Sequence, residues 1–464
     1  MQEQDTTVDE WAERLAAFAV TPFEIDEALR QAILVRVVDT IGTALGATGS
    51  DASEVVERYA GDRGALGLHG VWGTSTTTDV ESAALVNGVK ARYLDFNDAY
   101  FGVSICHPSD VIPALFATAL EVGADDATFL RACAIAYESI MRAADTMPIQ
   151  TSGYDHIQMT ILGGITGAAH LLGLTEAQAR HAVGICVTSH VSLRQTRTGQ
   201  LSMWKAFAAA DACRHALVTC LLARAGAEGP VAPFTGLNGS FRRLLHLAPE
   251  EFPTLDLEAG RVPRGIATSQ LKNYPLGAVG QSAAQAGEQL VAQGVRLADV
   301  ARLRVLLDPK AYPIMVSPEK LAPRTRETAD HSIPYVLVSA LHRGRIDVAS
   351  FDAEAIADPV VQTFLADSVD VEVDESLAGG HARGYPMRVR ATLKDGSSVE
   401  LTSESAPGTP GNEMTPERLR EKFTRNVQRS ALADRTDVIW DAVWGLGSAR
   451  DGVATLDRLL RTAP

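Results

Sequence analysis

The sequence predicts a mainly α protein, with a large all-helical domain joined to a smaller α+β domain. Three observations carry that expectation. Hydrophobic residues make up 46% of the 464 positions and aromatics only 6%. Alanine and leucine therefore supply much of the apolar content, which suits packed helices better than a sheet sandwich. Apolar residues recur at helical spacing almost without a break from residue 8 to residue 260. Near residue 264 the texture changes to short alternating runs rich in β-branched side chains.

Residues 8–18 and 23–45 read as helices with acids toward their starts, where the helix dipole favours them. Thr175-Glu176-Ala177-Gln178 is a capping box opening a helix through Ala179, Ala182 and Val183, directly after the break at Gly173. Residues 208–224 form an alanine-rich helix closed by Gly226 and Gly229-Pro230. Small residues in such numbers predict close helix packing. Strand patterns occupy 300–307, 368–373 and 387–393. Lys394-Asp395-Gly396 and the run 397–401 read as a hairpin turn and its return strand. Helical patterns lie between the strands at 281–293 and 334–341. Residues 406–411 form a loop. Helices then resume at Thr415-Pro416-Glu417, with threonine as N-cap and proline in the first turn. The predicted domains are 1–262 plus 404–464, helical and discontinuous, and 263–403, α+β.

Acids outnumber bases by 57 to 42, a formal net charge of −15. Such a balance argues against nucleic acid or an anionic membrane as partner, but not against a small anionic substrate. The five cysteines are scattered, with no C-x-x-C pair. That spacing offers no zinc or iron–sulfur framework, so neither metal nor cofactor is expected. An odd number of isolated thiols, together with an acidic start at residues 1–5 that lacks an apolar h-region, predicts a cytoplasmic protein. The longest apolar run, 160–174, is glycine-rich, holds His170 and is too short to span a membrane. No Walker A loop, H-E-x-x-H or G-x-S-x-G occurs.

The chemistry concentrates in short motifs where ionisable groups sit among large apolar ones, an expensive arrangement unless the charges are paired or used. Leu94-Asp95-Phe96-Asn97-Asp98 is followed by His107-Pro108-Ser109-Asp110. Asp95 and Asp98 would share one face of a helix; capping or a surface ion pair is the plain alternative. In Asp155-His156 a neighbouring carboxylate is placed to orient an imidazole. Lys205 follows Trp204 at the start of a helix, where a snorkelling lysine is the ordinary case. Arg194 and Arg197 suit bidentate carboxylate binding or plain ion pairing. Lys272-Asn273-Tyr274-Pro275 opens the second domain; alone, its lysine reads as a solvated one. Asp330-His331-Ser332-Ile333-Pro334-Tyr335 leads into a helix on which Tyr335 reads by default as a core residue. Singly none decides anything; together they look like contributions to one acid/base pocket.

In order and spacing, this set resembles the MmgE/PrpD family, which includes 2-methylcitrate dehydratases, cis-aconitate decarboxylase and iminodisuccinate epimerase. The resemblance runs over nearly the full chain, to Phe423, and the motif wording is closest to the 2-methylcitrate dehydratase branch. It implies an all-helical domain with a smaller α+β lid, a homodimer, and catalysis without metal or cluster. Carried over by motif, the catalytic positions are Asp95, His107, His156, Lys205, Lys272 and Tyr335. Arg194, Arg197, Ser109, Asp155 and His331 are the expected substrate-binding residues. One departure stands out: many relatives place a histidine several residues after the lysine-aromatic-proline motif, where this chain reads Ala278-Val279-Gly280-Gln281.

The expected function is that of a cofactor-independent hydro-lyase acting on a small polycarboxylate such as 2-methylcitrate or a citrate-like acid. Lys205, Lys272 and Arg194 would neutralise the carboxylate beside the departing proton. His156 or His107 would be the base. Asp95 would orient an imidazole or act as base itself, and Tyr335 would protonate the leaving hydroxyl. The two lysines are expected to reach one substrate from different domains. Alternatives are an epimerase of an aspartate-like diacid, a decarboxylase of a cis-aconitate-like acid, or a catalytically silent ligand binder. A homodimer is expected to form through the helical domain.

Overall fold

Aspartates start the first helices of this computed structural model, which describes residues 9–63, 67–380, 384–409, 411–448 and 450–463. The stretch 1–5, Val8 and Pro410 lie outside the described residues. Asp9 accepts from Ala12 N–H to cap α1 (Glu10–Val20), and Asp26 accepts from Leu29 N–H to cap α2 (Glu27–Gly46). The second helix therefore begins four residues later than the apolar spacing suggested, because Asp26 offers the cap. The helices α3 (Asp51–Arg63), α4 (Val80–Tyr93), α5 (Ile112–Val122), α6 (Asp126–Ala144), α7 (Ile157–Leu171), α8 (Glu176–Ser189) and α9 (Trp204–Arg224) follow. The capping box on Thr175 forms as expected. Close packing has a visible cause. A methyl on Gly88 of α4 would come within 2.7 Å of Ala210, and one on Gly164 of α7 within 2.9 Å of Ala216, both on α9.

The second part of the chain builds a four-stranded sheet ordered Val369–Val373, Val300–Leu307, Met387–Leu393, Ser398–Ser403. The first pair is parallel and the others antiparallel, with Val305 opposite both Val371 and Val389. Leu303, Val305 and Leu307 alternate into the core with Val389 and Ala391. The helices Gln281–Ala292 and Ile333–Arg343 contribute to that same core. The opposite face carries solvated pairs, Arg302 with Asp370 and Arg304 with Glu372.

Two separate large hydrophobic clusters result. One runs from Trp11 to Leu271 and resumes from Leu419 to Leu460; the other lies between Tyr274 and Ala406. The chain re-enters the first because Phe423, on helix Pro416–Val427, packs against Gly42 of α2. We propose two domains, 1–262 plus 404–464 and 263–403; the two cores support the division, changing over slightly later, between Leu271 and Tyr274 and between Ala406 and Leu419.

All five cysteines are free and buried, and burial pushes the thiols of Cys133 and Cys220 up in pKa, so they pack as small apolar side chains. Among the described residues one single helix, Trp204–Arg224, is long and apolar enough to cross a membrane, and 67% of that apolar stretch is buried within the protein.

Candidate active site

The end of α4 creates the centre of the site. Leu94 caps the helix, and Asp95 then takes a left-handed backbone conformation, φ +49°. Aspartate and asparagine tolerate that region better than most residues, at a cost on the order of 1 kcal/mol. The Asp95 carboxylate meets three cations. Arg92 Nη1 lies 2.9 Å from Oδ1, Lys272 Nζ bonds the same oxygen, and Lys205 Nζ lies 2.9 Å from Oδ2. Lys272 also donates to the Asp95 main-chain oxygen at 2.9 Å. Burial alone would raise the Asp95 carboxyl, but Arg92, Lys205 and Lys272 outweigh it and hold it well below the usual carboxylate range. Asp95 is thus a fixed counter-ion, which disfavours the base role expected as one option. Burial brings the Lys272 ammonium down to about 8 despite Asp95.

Lys205 spans two carboxylates, since Asp330 Oδ1 and Oδ2 lie 2.8 and 3.1 Å from its ammonium. His331 Nδ1 is 2.5 Å from Asp330 Oδ1, and its Nε2 is 3.6 Å from Asp95 Oδ2. Burial and the nearby Lys205 hold that imidazole at about 4, so it is neutral near pH 7. The two lysines meet at the Asp95 carboxylate. Lys205 stands on α9, whereas Lys272 sits on the segment crossing from Leu271 of the first core to Tyr274 of the second.

A second group adjoins the first through Arg92. His156 Nδ1 is 2.6 Å from Asp155 Oδ1, and Arg197 Nε is 2.8 Å from Asp155 Oδ2. A carboxylate only accepts, so His156 carries its hydrogen on Nδ1 and presents the Nε2 lone pair. His107 Nδ1 lies 2.7 Å from the Asp98 carbonyl oxygen, which fixes the same tautomer. The two imidazoles meet edge to face, centroids 5.2 Å apart. Burial lowers the pKa of both. Ser109 belongs to the support beneath them: its N–H donates to Asp98 Oδ1 at 3.0 Å, and Asn97 Nδ2 donates to its hydroxyl at 2.9 Å. The same Asn97 amide donates to Asp110 Oδ1 at 2.8 Å, and Arg92 Nε is 3.8 Å from that oxygen. Burial pushes Asp110 up to about 6.

Several buried atoms here lack a hydrogen-bond partner among the described residues: His156 Nε2, Arg197 Nη1 and Nη2, and Asp110 Oδ2. Such atoms are rare in folded proteins and mark places where a polar ligand would bond. Asp95, Asp330 and His331 bring three donor atoms within 4.8 Å of one another. Lys205 lies against both carboxylates, and Arg92 and Lys272 against Asp95, so a divalent ion there would face three positive charges.

Two expected residues make no hydrogen bond or ion pair with the cluster among the described residues. Arg194 is half-buried at the start of the short 3-10 helix that ends at Arg197, close enough to feel the charges of Asp155 and Arg197. Tyr335 corrects the proton-donor expectation: Ser332 caps its helix and Tyr335 falls in the first turn, wholly buried in the second core. Its hydroxyl donates to the Ser350 carbonyl at 2.6 Å. Tyr335→Phe should therefore cost about 1–3 kcal/mol by leaving that carbonyl unpaired, with turnover per folded molecule unchanged. Urea titration and initial rates test the two halves separately.

Arg92, Asp110 and Asp330 were not singled out individually from the sequence. Arg92 sits at helical spacing before Asp95, i to i+3, which was the one available signal. The missing histidine also acquires a structural setting. Gln281 accepts from the N–H groups of Asn273 and Tyr274 and donates to the carbonyls of Tyr274 and Leu276, pinning the loop that carries Lys272. A Cβ on Gly277 would lie 3.1 Å from the His331 ring, so the bare glycine leaves that imidazole its place.

The neutral histidines make the fold acid-sensitive. The His331 pKa is lower folded than unfolded, so as pH falls the unfolded chain takes the proton first. Its contribution is complete above pH 6.5 and lost toward pH 4, about 3 kcal/mol by linkage. His107 and His156 shift in the same direction. Chemical denaturation at pH 7, 6 and 5 should show stability dropping at each step.

The arrangement defines a histidine- and lysine-rich acid/base centre buried between two cores. The chain belongs to the MmgE/PrpD family: the family's N-terminal domain matches residues 13–252 and its C-terminal domain residues 274–446. It is 26% identical to the 2-methylcitrate dehydratase of Cupriavidus necator over 354 residues, covering 71% of this chain and 70% of that one. A 2-methylcitrate dehydratase of Salmonella typhimurium is 26% identical over 394 residues, 77% of each. The cis-aconitate decarboxylase of Mus musculus is 24% identical over 447 residues, 92% of this chain and 88% of that one. The family is thereby shown, and these relatives, two dehydratases and a decarboxylase, support an enzyme.

Proposed function

We propose that the chain is a cofactor-independent hydro-lyase that dehydrates a small polycarboxylate, with 2-methylcitrate or a citrate-like acid as the substrate. The observation that carries this reading is His156, a buried neutral imidazole tied through Nδ1 to one oxygen of Asp155 and holding an unpartnered Nε2, while Arg197, with Nη1 and Nη2 also unpartnered, pairs with the other oxygen of the same carboxylate. In the proposed step Nε2 removes the proton beside a substrate carboxylate. The C–H electron pair becomes the new C=C bond, and the neighbouring C–O bond breaks. Arg197 and the Lys205–Lys272 pair offset the charge that builds on the carboxylate. Lys272, brought down to about 8, is suited to hand a proton to the departing hydroxyl, so that water leaves.

The test is turnover of 2-methylcitrate, citrate and cis-aconitate by the purified chain. Formation of an unsaturated acid with loss of water supports the reading. Carbon dioxide release from cis-aconitate, or exchange of the acidic proton without loss of water, replaces it with the decarboxylase or epimerase. Binding without turnover of any polycarboxylate makes the chain a silent binder. Prolonged chelation should leave the rate intact; a loss restored by one specific ion overturns metal independence.

A homodimer through the helical part belongs to the same proposal. Val191, Leu193, Trp204 and Leu222 are each about half exposed there, apolar surface that a partner would cover. Sedimentation at micromolar concentration should give twice the chain mass, and a monomer alone would sink the idea.

A further inference from the structure

A cleft of about 540 Å³ opens beside the active site and is separate from it. Its walls are the turn between α2 and α3, the end of α4, the segment before α9, and residues 324–327 and 348–356. None of Asp95, His107, His156, Lys205, Lys272 or His331 borders it. Three arginines do: Arg324, Arg326 and Arg429.

Arg326 is the unusual one. It is only 8% exposed, and its guanidinium carbon lies 5.3 Å from the ring centroids of both Tyr93 and Phe351. Nη1 donates to the Val348 carbonyl at 3.3 Å, while Nε and Nη2 have no hydrogen-bond partner among the described residues. A buried guanidinium with idle donors is costly unless something completes it. Arg324 and Arg429 are exposed at the rim, where Arg429 Nε donates to the Gly46 carbonyl at 3.2 Å. Among the described residues none of the three forms an ion pair, in a chain with 15 more acids than bases. Three acids also line the cleft. Asp51 is engaged by the Tyr93 hydroxyl at 2.6 Å and by Ala52 N–H, buried Glu327 is pushed toward its neutral form by burial, and Asp352 is exposed and forms no ion pair with the arginines. Leu94, Leu201, Met203 and Ile356 give the wall an apolar part beside the hydroxyl-bearing Thr48, Ser50, Ser202 and Thr325.

We propose that this cleft is a second, non-catalytic binding site for a small molecule that joins one phosphate or carboxylate group to an apolar body. The planar guanidinium fork matches either anion, and the volume suits a molecule of metabolite size. The walls are the same peptide segments that carry the catalytic groups. Leu94 precedes Asp95, Met203 lies two residues before Lys205, and Glu327 three before Asp330. The assignment stands whichever reaction the active site performs.

Calorimetric titration of the full chain with phenyl phosphate and with benzoate provides the test, the tighter probe naming the anion. One saturable site per chain is expected, with Kd raised tenfold or more in the Arg324→Met/Arg429→Met double variant, whose changes are at the surface. Arg326→Met should abolish binding if it folds; the rim variant decides the matter if it does not. His156→Gln should leave probe binding within about twofold. Absence of saturable binding by both probes, indifference to the rim variant, or loss in His156→Gln each overturns the proposal.

Discussion

Exchanging His156 for glutamine is expected to lower kcat on the dehydrated polycarboxylate by about a hundred- to ten-thousandfold, the range of a lost general base. Glutamine has nearly the volume of histidine and keeps an N–H to offer Asp155, so the Arg197–Asp155 pair 2.8 Å apart should persist. KM should then move only a few-fold, and urea stability by less than about 1 kcal/mol. This split separates the base from a merely structural residue. If kcat stays within tenfold of the parent, His107 becomes the base, since its ring lies 5.2 Å away with the same tautomer fixed by the Asp98 carbonyl.

The second large effect is on stability. Asp95→Asn keeps the shape and the left-handed backbone but removes the charge to which Arg92, Lys205 and Lys272 are bound. Lys205 retains Asp330. Arg92 and Lys272 are left buried without a near ion-pair partner, for Asp110 is 3.8 Å from Arg92 and itself drawn toward its neutral form by burial. Removing one partner of a buried pair typically costs about 3–5 kcal/mol. The double variant Asp95→Asn/Lys272→Met should recover part of that loss, because it withdraws one stranded charge, and the recovered part measures their coupling. A loss under about 1 kcal/mol in Asp95→Asn would mean that the cations do not depend on this carboxylate.

The helical half was legible because its signals are local. Capping at Thr175, alanine-rich spacing in α9 and the proline-initiated helix at Thr415 each depend on neighbours within a turn or two. The strands were legible for the same reason, their alternation having period two. Helix starts were less so: α2 begins at Glu27 because Asp26 offers a cap, which apolar spacing does not register. In the candidate site, the motifs holding Asp95, His107, Asp155-His156, Lys205, Lys272 and His331 could be picked out because charge among large apolar residues is anomalous in one dimension. Their grouping was suggested by that shared anomaly and strengthened by the resemblance.

By itself, then, the sequence determined the fold class, the change of texture near residue 264 and the set of unusual ionisable residues. All of these follow from short-range periodicity and composition. Only the tertiary structure decided which of those residues meet. Asp95 draws cations from positions 92, 205 and 272, and Asp330 completes Lys205 across 125 residues. Tyr335, beside His331 in sequence, turns the other way, because helical geometry puts the first turn after Ser332 into the second core. Tautomer, ionisation and burial depend on distances between segments far apart in the chain. No local pattern encodes them.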